Sequence, residues 1–327
     1  MVVKGRIQQQ KDNQYIKMNS AIGERNKKAY YYASFNSDNF ARAPKTPIME
    51  LKQEGSFDEA DIDLIDFVYT VRFCTEEQLI RYGRYKGYED IENRIALLVG
   101  AGVLNSFFET MLNPKDGIIR KPDDAKRYIC LKVAGEYLLR EFSPRKIIEW
   151  EPGDNITHIK NIENQEIFNE FYLDVLTSNK VKITNLWLHP EYSMREKKLP
   201  ALGHIGMTRT IEQDKEYMVF DAIRIEDNPD DVQEKILRWE DYFINTKSYL
   251  RIFGASKRLP TLVFITDNDQ AAVRLAGMIS RTGLVSSLIT TFNRIQYYQL
   301  SDMGKFLKYK EEDLNVLVNS LKKSRKG

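Results

Sequence analysis

Only two of the 327 residues are cysteine and only three are histidine. That leaves little material for a disulfide framework or a histidine-built metal site. Cys74 and Cys130 both sit among apolar neighbours, so buried, reduced thiols are expected. His158, His189 and His204 lie far apart, without ligand-like spacing. No run of about 18 apolar residues exists, so no transmembrane helix and no membrane partner are expected. The opening MVVKGRIQQQKDNQ turns polar at once and offers no apolar run for a signal peptide, so the expectation is a cytoplasmic protein. No glycine-rich phosphate loop follows a strand pattern, and no G-x-S-x-G elbow is present. Neither sign of charge dominates. The 49 Lys and Arg against 47 Asp and Glu give +2, too little to argue for nucleic acid by itself.

What is present describes a globular chain, 42% hydrophobic and 29% charged, with length for two domains. The charge is uneven. Residues 1–50 hold nine Lys/Arg against four Asp/Glu, and the chain closes on the basic LKKSRKG. Such ends either contact phosphates or are simply solvated. Residues 1–55 lack sustained periodicity and read as a flexible basic and aromatic arm. Its AYYYASFNSDNF cluster is costly to leave exposed, so part of the arm should pack on a domain or a partner.

Residues 56–142 carry stronger signals. Ser56 or Asp58 can cap a first helix in which Ile62, Ile65 and Phe67–Val68 recur at helical spacing. Thr75 with Gln78 three residues on is a capping box for a short second helix burying Leu79. Gly83 and Gly87 bracket a turn. A third helix starts near Tyr88, turns Ile91, Ile95 and Leu97–Leu98 inward, and stops at Gly100–Gly102. VLNSFFETM and AKRYICLKV read as strands around a polar turn, and AGEYLLREF as a closing helix. Three helices, a hairpin and a helix is the order of a winged helix-turn-helix.

Residues 143–158, SPRKIIEWEPGDNITH, read as a linker. Residues 159–310 then form a mixed-sheet α/β domain. It opens with a helix over 159–178. The strands are VKITNLWLHP, HIGMTRTI, EYMVFDAIRI, LPTLVFIT, VSSLITT and IQYYQL. Helices cover PDDVQEKILRWEDYFINTKSYL and DNDQAAVRLAGMISRT, the latter capped by Asp267 or Asn268. Residues 311–327 hold the end of a last helix, from about 310 to 322, and a basic tail.

The first domain resembles the replication-relaxation family of plasmid, phage and integrative-element proteins. The pattern rests on Thr75, Gln78 and Leu79; on Arg94, Leu98, Gly102 and Leu104; and on Tyr128, Leu131, Gly135, Leu138 and Leu139. THIKNIENQEIF, KILRWEDYF and LPTLVFITDN extend a weaker likeness, so it covers about residues 58–270. The resemblance implies an α+β protein: a winged-helix DNA-binding domain joined to a domain similar to PD-(D/E)XK nucleases, the restriction-endonuclease-like folds. Some relatives act in plasmid mobilisation or replication, and a relaxase class cleaves DNA. The implied partners are double-stranded DNA and replication or mobilisation proteins, with a homodimer as a further option.

A nuclease of that type holds Mg²⁺ on two carboxylates beside a lysine. Here the first carboxylate position falls in LPALGHIG, where Pro200 is followed by Ala201, Leu202 and Gly203. The second falls on VFDAIR, where Asp221 can stand for the acid but Ile223 takes the lysine place and Arg224 the opposite face. Asp221 is therefore the single catalytic candidate. Mg²⁺ would follow only if an unconventional partner such as Glu212, Asp227 or Lys235 completed the site. TDND suits helix capping better than cation binding, and Tyr30–Tyr32 and Tyr297–Tyr298 suit strand packing better than nucleophilic attack.

The third helix raises its own question. Glu89, Asp90 and Glu92 stand where the first turns of a recognition helix meet the major groove. Arg81, Arg84, Lys86 and Arg94 flank them, and the wing turn carries Lys115, Arg120, Lys121, Lys126 and Arg127. The expected DNA contacts are these bases, with base reading by Tyr88, Asn93 or Glu89. The competing expectation is a module for protein contacts.

Overall fold

The computed structural model describes residues 16–25, 28–34, 45–111, 126–145, 149–151, 162–178, 181–194, 197–209, 215–224, 227–253, 259–284, 287–297 and 307–308. The protein is α+β. It divides into two compact units, Met1–Glu166 and Ile167–Gly327.

The first unit begins with a β-hairpin, β1 (Ile16–Arg25) and β2 (Lys28–Ser34), and a helix α1 (Lys45–Gln53). These elements lie in the segment read as an arm without periodicity. They are followed by α2 (Glu59–Val71), β3 (Phe73–Thr75), α3 (Glu76–Tyr85), α4 (Ile91–Gly100), β4 (Leu104–Met111), β5 (Tyr128–Leu131) and α5 (Val133–Phe142). The strands form one antiparallel sheet in the order β1-β2-β4-β5-β3.

Local chemistry explains the boundaries. Asp58 caps α2, accepting from Asp61 N while the Asp61 carboxylate accepts from Asp58 N. Thr75 and Gln78 make the same reciprocal pair at α3. Between them these contacts satisfy orphan donors at both helix starts. α4 begins at Ile91 rather than near Tyr88, because Asp90 adopts a left-handed conformation, φ 55°. Ile91, Ile95 and Leu98 are buried, whereas Leu97 is only half-buried. Cys74 and Cys130 are free and buried, and burial pushes the Cys130 thiol up to about 12.

The stretch read as a linker is anchored in its described part. Arg145 Nε reaches Asp66 Oδ1 at 2.6 Å, Glu149 N donates to Tyr69 OH at 3.1 Å, and Trp150 is buried.

The second unit is built on a mixed sheet. Its elements are β6 (Val181–Leu188), β7 (Glu191–Met194), β8 (Lys197–Pro200), β9 (Gly203–Arg209), β10 (Lys215–Ala222), α7 (Pro229–Glu240), a π-helical turn (Asp241–Asn245) and α8 (Leu250–Phe253). β11 (Thr261–Thr266), α9 (Asp269–Ile279), β12 (Leu288–Thr291), α10 (Phe292–Tyr297) and β13 (Leu307–Lys308) complete it. Helix α6 (Ile162–Thr177) contains the boundary between the two units. Sheet order is β13-β12-β11-β10-β9-β6, with β10, β11 and β12 parallel and the remaining pairs antiparallel. Along β10, Val219 joins the core of Ile236, Trp239, Phe264 and Leu275. Phe220 turns to the other face, against Phe168 and Phe171.

One expectation fails here, and one element was not foreseen. IQYYQL was read as a strand, but its described part, 295–297, ends α10. Thr291 Oγ1 accepts from Arg294 N at the start of that helix. The hairpin β7–β8 was not foreseen. Its strands are four residues each, and Tyr192 and Leu199, a register pair, are buried in the core. The final helix expected over 310–322 lies outside the described residues. Among the described residues no helix is long and apolar enough to cross a membrane.

Candidate nucleic-acid interface

Helix α2 presents a row of acids to the helices that follow it. Asp58, Asp61, Asp63 and Asp66 all lie on or just before that helix. Arg94 Nη1 stands 2.8 Å from Asp58 Oδ1 and 3.1 Å from Asp61 Oδ1, and its Nε donates to Glu89 O at 3.1 Å. Arg94 holds the Asp58 carboxyl below its usual range, whereas burial pushes the Asp61 carboxyl up. This arginine ties the start of α4 to the start of α2.

Asp63 makes the second tie. Its Oδ2 accepts from Tyr82 OH at 2.8 Å and from Tyr88 OH at 2.9 Å, with Lys86 Nζ at 3.2 Å. Burial, then Asp63, push the Tyr88 phenol up to about 12. Three donors from α3 and the following turn thus converge on one carboxylate. Asn93 Nδ2 donates to Asp90 Oδ1 at 2.6 Å, bracing the left-handed residue. Arg84 pairs with Glu92 at 3.2 Å, both exposed, and Arg81 is exposed.

Just before β5, Lys126 Nζ lies 2.6 Å from Glu166 Oε1, and Arg127 Nη1 lies 2.9 Å from Glu76 Oε1. Lys115, Arg120 and Lys121 lie outside the described residues. The structure therefore gives Lys86, Tyr88 and Arg94 partners on or beside α2. Arg84, Lys126 and Arg127 each pair with a carboxylate.

Asp221 sits one register position beyond Phe220, on the β10 face turned to α7. Its Oδ1 accepts from Ala222 N at 2.8 Å and meets Lys235 Nζ at 2.7 Å, and its Oδ2 accepts from Trp239 Nε1 at 2.7 Å. Burial pushes the carboxyl up while Lys235 pulls against it. The residues present do not fit Mg²⁺. Both oxygens are engaged, an ammonium stands at the place a cation would take, and among the described residues no second carboxylate joins them. Asp227 instead accepts from Arg224 N, and Arg224 Nε pairs with Asp267 at 2.8 Å. Glu212 lies outside the described residues. Among the described residues, no group of three His, Cys, Asp or Glu is placed to hold a metal ion. In TDND, Asn268 caps α9 through Ala271 N and Asp269 pairs with Arg294. His204 is buried, sharing a 3.2 Å hydrogen bond with Tyr192 OH, and burial pushes its imidazole down to about 4.

Compared with models of known protein families, with curated proteins and with solved structures, the chain matches none. The residues that carry the sequence resemblance all have folding roles. Thr75 and Gln78 cap α3, Arg94 ties α4 to α2, and Gly102 takes φ 75°. Leu79, Leu98, Leu104, Leu131, Leu138 and Leu139 are buried. The pattern specifies a fold and leaves the surface chemistry open.

Sequence reasoning missed Asp63, Glu166 and Trp239 as hubs. The i, i+4 spacing of Lys235 and Trp239, opposite a strand that carries Asp221 near its end, was a usable signal. Glu166 offered none, since Lys126 is forty residues away.

Proposed function

We propose that the first unit is a winged helix-turn-helix and that the protein is a DNA-binding accessory factor of a plasmid or integrative element. Its second unit, resembling nuclease folds, would serve without catalysis. The observation that carries the reading is connectivity. A helix, a short strand, two helices and two longer strands follow in order, with β5 seated between β4 and β3. That arrangement supports a wing over residues 112–127, where Lys115, Arg120, Lys121, Lys126 and Arg127 cluster. Phosphate contacts from such a cluster position a duplex without reading it. On this reading the wing leads, Arg81 and Arg84 assist, and Lys86, Tyr88 and Arg94 hold the turn in shape. The role in replication or mobilisation, and the partners it implies, rest on the sequence resemblance.

A second reading has its own observation. Glu89, Asp90 and Glu92 are exposed on and just before α4, while Arg94 beside them is committed to α2. A face of that sign suits a basic protein partner better than a polyanion.

A salt titration with pooled duplex DNA, with and without Mg²⁺, separates the two. The DNA-binding reading requires a shift that weakens with salt, without nicking. Four alanines at Arg120, Lys121, Lys126 and Arg127 should flatten the salt slope. No shift at low salt would sink it in favour of a protein partner.

A further inference from the structure

The wing's return carries Lys126 and Arg127 in succession, and each meets a carboxylate from elsewhere in the first unit. Lys126 Nζ lies 2.6 Å from Glu166 Oε1, and Tyr128 OH donates to Glu166 Oε2 at 3.2 Å. Gln78, already committed to the α3 cap, donates its Nε2 to Glu166 O at 2.9 Å. Arg127 pairs with Glu76, whose backbone N donates to Arg127 O at 2.9 Å.

The two pairs differ in one respect that decides their behaviour. The Glu76 side chain is 29% exposed, so water can rehydrate it when Arg127 leaves. The Glu166 side chain is 9% exposed while that of Lys126 is 52% exposed. Pulling Lys126 away would strand a buried carboxylate, which is costly because the anion loses its counter-charge without gaining water. An exposed pair such as Arg84–Glu92 carries no such penalty.

We propose that Glu166 is an internal phosphate mimic: it occupies the seat a duplex phosphate would take on Lys126 and thereby limits how tightly the wing can hold DNA. Glu76 does the same to Arg127, more weakly. The inference rests on the first unit binding duplex DNA, and it reassigns Lys126 from a DNA contact to a residue held in reserve. Anything that neutralises or displaces Glu166 adds one phosphate contact to the wing.

The test is duplex affinity as a function of salt for the full chain, wild type against Glu166→Gln. Glutamine keeps an acceptor for Tyr128 but releases the lysine. E166Q should bind about three- to tenfold tighter near 0.1 M salt, with the slope of log K against log salt steeper by about one. The double variant Glu166→Gln, Lys126→Met should lose that gain. A gain that survives in the double variant would come from overall charge and would overturn the proposal, as would unchanged or weaker binding by E166Q. Should E166Q unfold at the assay temperature, Glu76→Gln takes its place. It must then steepen the slope through Arg127, or the mimicry fails. Wild-type binding without a gain sinks this inference alone. No binding by either protein sinks the DNA reading with it. Binding by E166Q alone would support the mimicry most strongly.

Discussion

Lys235 Nζ stands 2.7 Å from Asp221 Oδ1, one turn of α7 before Trp239, whose Nε1 takes the other oxygen. A buried carboxylate held this way joins a strand end to a helix. Asp221→Ala removes the acceptor of an ammonium and an indole at once. The expected cost is about 3–5 kcal/mol, the range for breaking a buried pair by one partner. Urea unfolding of the full chain should show it in the transition of the second unit. Millimolar Mg²⁺ should leave the wild-type midpoint in place. A Mg²⁺-dependent rise that vanishes in Asp221→Ala would show that the carboxylate binds metal after all.

Asp63 carries the corresponding load in the first unit. Tyr82, Lys86 and Tyr88 all reach it, so Asp63→Ala should lose about 1–3 kcal/mol as the buried Tyr82 and half-buried Tyr88 hydroxyls lose their acceptor. Lys86→Ala should lower stability slightly and leave duplex affinity nearly unchanged. Arg81→Ala, at an exposed position, should weaken duplex affinity. A Lys86→Ala variant that weakens DNA binding as much as Arg81→Ala would mean that the Asp63 tie opens when DNA arrives.

These contrasts show what the sequence could and could not reveal. The capping box of Thr75 and Gln78, the buried set Ile91, Ile95 and Leu98, and the buried strands were legible because each depends on residues a few positions apart. The hairpin β7–β8 was not, since alternation over four residues is too short to stand out from a loop. Asp90 was read as an early helical acid, yet its left-handed backbone places it before the helix. The candidate interface fared worst. Charge on the sequence marks a base without showing the acid that neutralises it. Arg94 and Asp58 are thirty-six positions apart, and only the packing of α4 on α2 joins them.

His204 makes stability depend on pH. Its neutral ring is buried beside Tyr192, Phe253 and Trp187, and burial lowers its pKa from 6.5 to about 4. The unfolded chain takes up this proton near pH 6.5, while the folded chain resists until about 4. Stability from this residue is therefore full above about 6.5, falls as pH drops toward 4, and then levels. The span is at most about 3 kcal/mol, at 1.36 kcal/mol per unit. Unfolding midpoints between pH 7 and 4 should decline more steeply in wild type than in His204→Gln. Parallel curves would remove the histidine from the account.

Gly135 lies inside α5, where glycine is normally costly, so its presence needs a reason. A Cβ built there would stand 2.7 Å from Val103 O and 2.5 Å from Leu131 Cδ1. The leucine can turn aside, but the carbonyl cannot, because it already accepts from Lys132 N at 3.1 Å. Helix α5 thus rests directly on the backbone leading into β4. Gly135→Ala should cost about 1–3 kcal/mol by overpacking and should tilt α5 away from the sheet. Gly102→Ala tests a different requirement at the same corner, since φ 75° rather than space is what excludes a side chain there. Its cost should be about 1–2 kcal/mol. The two substitutions should add to less than their sum, because both release Val103. Full additivity in thermal unfolding would show instead that α5 and the α4–β4 turn are held independently.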